Sequence, residues 1–473
     1  MDQPMLRNCR SSRLSNLGRS TAVAALVVGL HLCPPRALAH EDASKEGLWE
    51  REQLTGNWGG ERSRLEDKGL QLGVNYTGET LGNVSGGVAR SGIYEGRLEF
   101  FLNVDLGKAV GWEGGTVRAN AYQIHGRGLS ANYLGNNLMA ASNIEAARST
   151  RLFGLWFQQE LWEGLISLRG GQIAADDEFF VSVYGANLLN ASFGWPAILA
   201  ADLPSGGPAY PLATPGARIK IAPTKELSVA AALLDGDPAG PGVGNPQLRD
   251  QNGTRFRTSD SPFVIAEAAW ASNQDKDASG LPATYKVGAW HHSARFADQR
   301  VDTRGGSLAS PTNSGPALRR GNYGIYLILD QMLWRDPGTE DSGPGVFLRL
   351  AASPEDRNVI SRYIDGGISY KGLVPSRVDD VSIIGFGLAQ VGSHARGLDV
   401  DARTFAGINR PVRDKEILLE VSYKAQIAPW WTVQPDVQYI INPGGRVATP
   451  SDPAGVRPIP DALVFGVRTT IAF

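Results

Sequence analysis

The sequence predicts an all-β fold, a transmembrane antiparallel β-barrel of about sixteen strands with a short N-terminal helix. Three observations predict it. Long segments alternate apolar and polar residues, and no stretch after residue 40 is apolar for long enough to cross a bilayer as a helix. The chain also opens on a segment that reads as a secretory signal and closes on Phe473 at the end of an alternating strand.

The N-terminal signal comes first. Arg7, Arg10, Arg13 and Arg19 form a basic lead, residues 21–32 (TAVAALVVGLHL) an apolar run, and Ala37-Leu38-Ala39 a small-x-small cleavage pattern. The run falls far short of the ~20 residues a spanning helix needs. The chain therefore divides into a cleaved signal (1–39), a periplasmic lead with a short helix (40–69) and a barrel (70–473). Cys33 follows Leu32, where lipid modification wants a small side chain. Both cysteines, Cys9 and Cys33, fall inside the signal, so disulfides, thiol catalysis and zinc–cysteine sites are not expected in the mature chain.

Composition narrows the class further. A net charge of -2 argues against binding nucleic acid or a polybasic grip on a membrane surface. A mean hydropathy of -0.19 reads as soluble, yet a barrel strand shows lipid only every second residue. The 57 glycines suit many turns and long loops.

In LTGNWGGERSRLEDKG, Asn57 can cap a helix, residues 62–68 are strongly charged, and Gly69 ends it. The period then changes to two, with Leu70, Leu72, Val74 and Tyr76 on one face. In residues 94–106 one face carries Tyr94, Leu98, Phe100, Leu102, Val104 and Leu106. The other carries Glu95, Arg97, Glu99, Asn103 and Asp105, interrupted by Phe101. Such length exceeds the ~5–6 residues of ordinary strands and suits the ~9–11 of a membrane-crossing one. The same alternation marks 416–427, 432–441 and 463–473, and weaker segments bring the total to about sixteen. A barrel of that size encloses water.

Connectors alternate between short and long. Residues 110–115 and 429–430 are tight turns, whereas 127–149, 173–215, 236–260, 293–321 and 392–412 read as long loops on the outward-facing side, folding over or into the mouth. Trp112, Trp430 and Trp431 sit at turns, where an interfacial aromatic girdle belongs. Phe473, closing the last strand, fits the signal read by the barrel assembly machinery.

Several blocks resemble a known family, the carbohydrate-selective porins of OprB type. They are LTGNWGGERSRLEDKGLQLGVNYTGE near the start, GGPAYPLATPGARIKIAP (206–223), GLVPSRVDDVSIIGFG (372–387), LEVSYKAQIAPWWTVQPDVQYIINPGG (419–445) and the ending ALVFGVRTTIAF. They span nearly the whole mature chain. The resemblance implies a sixteen-stranded outer-membrane porin of a Gram-negative bacterium, passing small sugars of the glucose type; periodicity and spacing alone support a barrel channel.

A constriction suited to sugars needs charged and amide hydrogen-bonding groups of both signs, with an aromatic ring face beside them. On the non-lipid faces Glu95, Arg97 and Glu99 meet this description, with Arg118, Asn120 and Tyr122 as neighbours if the next strand pairs in register. The long insertion at 173–215 adds Asp176, Asp177 and Glu178 as acceptors and Trp195 as a stacking platform. No cofactor or metal is expected. DGDPAG (235–240) lacks the ligands of a calcium loop, and His291 and His292 point to opposite faces of a strand. An enzyme is not expected either, since no serine–histidine or metalloprotease pattern is present. A general diffusion porin and a barrel binding partners through its loops are the alternatives. A gated receptor would need a plug domain, for which residues 40–69 are too few. Outer-membrane lipid surrounds such a barrel, and homo-oligomers are compatible with it.

Overall fold

Sixteen segments with a two-residue period pair, each with its neighbours in sequence, into one closed antiparallel barrel in which β1 also pairs with β16. The computed structural model describes residues 47–135, 138–275 and 278–473. The signal reading of 1–39, with Cys9 and Cys33, lies outside the described residues. The first strands are β1 (Leu70–Ser85), β2 (Ser91–Asp105), β3 (Gly115–Gly126), β4 (Ser149–Leu161), β5 (Ile166–Ile173) and β6 (Thr214–Ile221). Next come β7 (Leu227–Asp235), β8 (Pro262–Ser272), β9 (Ala283–Asp302), β10 (Pro316–Met332) and β11 (Gly343–Ala352). β12 (Ile360–Lys371), β13 (Val381–Val391), β14 (Lys415–Ala428), β15 (Trp431–Ile441) and β16 (Ala462–Ala472) complete the wall. No described helix is long and apolar enough to cross a membrane, so crossing falls to the strands.

Alternation sorts the side chains as expected. On β2 Tyr94 and Phe100 are exposed outward while Glu95 and Glu99 are buried inward. On β14 Leu419 and Val421 face out while Glu416 and Glu420 are fully buried. The two ends of the chain meet at one rim. The Leu54 N–H donates to the Ala472 carbonyl (2.8 Å), and the Arg62 guanidinium donates to the Phe473 carbonyl (3.1 Å). That rim also carries the short turns, which makes it the periplasmic end. The helix α1 (Glu61–Asp67) sits there, with the Asn57 Oδ1 accepting from the Ser63 N–H (3.0 Å). Gly69 follows at φ +79, where a Cβ would lie 2.4 Å from the Asp105 carbonyl oxygen. Exposed Trp112 and Trp162 and a stack of Trp49, Trp430 and Trp431 (centroids 5.8–6.5 Å) line this rim as an interfacial belt.

Two connectors differ from the sequence reading. Most of 293–321 is not a loop, because β9 continues to Asp302 and β10 begins at Pro316. The hairpin rises past the hydrocarbon zone, where both faces are wet and apolar alternation disappears; an Arg319–Asp298 ion pair (2.6 Å) ties it instead. Residues 392–412 contain a helix, Ser393–Ala406, held by Arg300–Asp401 (2.8 Å) and Arg413–Asp399 (2.8 Å). Arg300 and Asp401 lie 101 residues apart, so local pattern does not reveal this docking.

The core lies inside the barrel rather than between layers. Segment 174–213 folds inward and buries Phe180, Leu188, Phe193 and Ile198 against inward residues such as Tyr326 and Phe347. Its backbone polar groups are satisfied by charges on the wall. Glu420 accepts from the Asn190 N–H (3.1 Å), Glu267 from the Phe180 N–H (3.1 Å) and Asp330 from the Val183 N–H (3.2 Å). Fully buried Arg349 donates to the carbonyls of Phe180 (2.9 Å), Ser192 (2.6 Å) and Gly194 (3.1 Å) while paired with Asp365. Hydrogen bonds to charged groups contribute about 1.5–3 kcal/mol each, so the wall charges fix the inward path of this segment.

Candidate pore constriction

Opposite those anchors, strands β2 to β6 leave a charged wall facing the lumen. Inward parity places Arg97 and Glu99 on β2, Arg118 and Asn120 on β3, Arg169 on β5 and Arg218 on β6. Immediately after β5, a single 3-10 turn (Ala175–Asp177) lays Asp176, Asp177 and Glu178 across this wall.

Glu99 is the hub on the β2–β3 side. Its carboxylate accepts from Asn120 (3.1 Å), Asn75 (3.4 Å) and Arg118 (3.5 Å), and Arg118 donates also to the Asn103 amide oxygen (2.9 Å). The pairing is diagonal, since Glu99 lies opposite Tyr122 in register and Asn103 opposite Arg118. The Asn120 oxygen accepts from the Gly154 N–H (2.9 Å), which fixes the amide's orientation. Arg97 lies over the rings of Tyr122 (4.8 Å) and Tyr210 (5.1 Å), and its Nε has no hydrogen-bond partner.

On the β5–β6 side Glu178 pairs with Arg218 (2.8 Å) and Arg169 (3.8 Å). Arg169 also lies 4.2 Å from the Trp156 ring centroid. Asp177 is exposed to the lumen and feels the charges of Arg169 and Arg118. Asp176 accepts from the Tyr210 N–H (3.0 Å), and its other oxygen is buried without a partner. Burial and the adjacent Asp177 charge push the Asp176 carboxyl above the usual carboxylate range.

Arg97, Glu99, Arg118, Asn120, Asp176 and Asp177 thus gather on one stretch of wall. Two candidates lie elsewhere. Glu95 is buried, facing Ser142 and Glu145. Trp195 is half-buried inside the inward segment, its indole N–H committed to the Gly206 carbonyl (3.0 Å). Sequence reasoning passed over Arg169, Arg218 and Trp156. Strand parity was the available signal, since Arg169 follows Ser167, and Arg218 follows Thr214, on the same inward face.

Charges of both signs, amide groups and a ring face therefore share one stretch of the lumen wall. The arrangement defines a diffusion channel of the outer membrane, a porin. Comparison with known proteins places it further: the chain belongs to the carbohydrate-selective porin, OprB family, whose model matches residues 89–473. It is 24% identical over 462 residues to Porin B of Pseudomonas aeruginosa, covering 92% of this chain and 94% of that protein. The high-pH structure of Pseudomonas putida OprB superposes with a TM-score of 0.80 at 22% identity, covering 90% of this chain and 100% of that one. The low-pH structure of the same protein gives 0.55 at 18% identity, over 90% of this chain and 99% of that one.

Proposed function

We propose that this porin passes glucose-type monosaccharides by passive diffusion, and that the passage between β2–β6 and residues 175–178 is the narrowest point. The observation that carries the reading is the Glu99–Asn120–Arg118 cluster beside lumen-exposed Asp177, with Trp156 close by. Alternating donors and acceptors suit sugar hydroxyls, and Trp156 offers a ring face. Charges already paired along the wall hold a solute weakly enough to release it.

Arg97, Glu99, Arg118, Asn120, Asp176 and Asp177 are the proposed solute-contacting or solute-positioning groups. Glu95 and Trp195 act from behind, supporting the loops that narrow the lumen. Export through the signal 1–39, presentation of Phe473 to the barrel assembly machinery, and association of barrels into homo-oligomers belong to the same reading.

The test is glucose-driven swelling of liposomes carrying the refolded barrel. Arg97→Ala and Glu99→Ala should each change the rate by about fivefold, equivalent to one hydrogen bond. Rates equal to wild type in both would move the narrowest point elsewhere. Planar-bilayer conductance with graded glucose separates a sugar site, which gives concentration-dependent block, from a general diffusion pore, which gives none.

A further inference from the structure

On the outer face of β8–β13 the lipid-facing surface is not smooth. A furrow of about 1030 Å³ runs along it, open to the membrane. Its floor is a hydrogen-bonded row of small residues, Ala266, Ala289 and Ala352, broken by Ile325. The next row toward the periplasm is apolar throughout, with Val287, Leu327, Leu350 and Ile364 in register. Such a trough accepts an acyl chain rather than a flat bilayer surface.

The extracellular end of the furrow carries charges of both signs, with Glu355 beside the arginines. Arg362 and Arg396 line it, each only loosely paired, with Glu355 at 3.6 Å and Asp414 at 3.4 Å. Higher on the β9–β10 hairpin Arg295 and Arg320 are exposed and directly opposite one another in register. Among the described residues neither has a side-chain hydrogen bond or a salt bridge. Like charges placed opposite each other on a strand pair are destabilising. Two arginines held so, without a counter-ion from the chain, call for an anion from outside it.

Arg320 and Ile325 lie five positions apart, roughly 15 Å along the strand. That spacing matches a headgroup above and an acyl chain below. We propose that this face binds an acylated, phosphate-bearing glycolipid of the outer leaflet, its phosphate on Arg295 and Arg320 and a chain in the furrow. The arginine pair supplies bidentate donors for phosphate, and the two apolar rows supply the depth for the chain.

Native mass spectrometry of the detergent-solubilised full barrel with added lipid A tests this. Phosphate-free lipid A and inorganic phosphate serve as control probes. Wild type should retain a lipid A adduct and retain the phosphate-free lipid roughly tenfold less. Arg295→Gln with Arg320→Gln should lose retention by a similar factor, and Ala289→Phe with Ala352→Phe, which fills the furrow, should lose it independently. Unchanged glucose swelling in both double variants certifies that the barrel folds. Equal retention in the arginine variant, equal binding of phosphate-free lipid, full competition by inorganic phosphate, or a second copy of the chain seated there instead would each overturn the proposal.

Discussion

Replacing Arg349 with alanine should both weaken the barrel and widen its channel. Arg349 is fully buried, ion-paired to Asp365, and bonded to three carbonyls of the inward segment. Truncation leaves the Asp365 charge buried without its guanidinium, which costs about 3–5 kcal/mol. It also removes three of the bonds that hold residues 180–194 to the wall, so this stretch should loosen and single-channel conductance should rise. Denaturant unfolding of the refolded barrel reads the first effect and planar-bilayer recordings the second. Arg349→Met combined with Asp365→Leu separates the two, since removing both charges should recover most of the stability while the conductance stays high. Wild-type conductance in a folded double variant would show that the segment holds its position without this strut.

The second large effect is on selectivity. Asp177 is exposed in the lumen and faces Arg118 and Arg169, so Asp177→Lys turns a mixed passage into one dominated by cations. A charge change at a wet constriction alters the energy of a passing ion by about 1 kcal/mol or more. The anion-to-cation permeability ratio should therefore rise by at least about fivefold. Reversal potentials across a salt gradient measure it, and an unchanged ratio would place the ion path away from Asp177. Because the side chain is exposed, the barrel should fold as wild type.

Much of this was legible because a barrel strand writes its two solvents into alternate residues. All sixteen strands correspond to segments picked out by alternation, and the hub at Glu99 followed from placing Arg118 and Asn120 on the neighbouring strand. The acidic run 176–178 stood out by its charge beside β5. Arg169 and Arg218 escaped notice because β5 and β6 are short and glycine-interrupted, leaving little pattern to read. Trp195 looked like a platform because a lone tryptophan in a long insertion invites that role. Its burial depends on how the insertion folds against itself, which no local pattern encodes. The upper part of the β9–β10 hairpin reads as loop because alternation reports on lipid, and that part stands clear of it.

The wall carboxylates and Arg349 have a consequence for the electrical behaviour of the pore. Glu267, Asp330, Glu420 and Arg349 grip the inward segment's backbone at points spread from Phe180 to Gly194. An inward segment bolted at so many places has few low-energy ways to swing. Its open-channel current should be quiet, with little flicker on the millisecond scale, and spectral noise should grow as these bolts are removed one at a time.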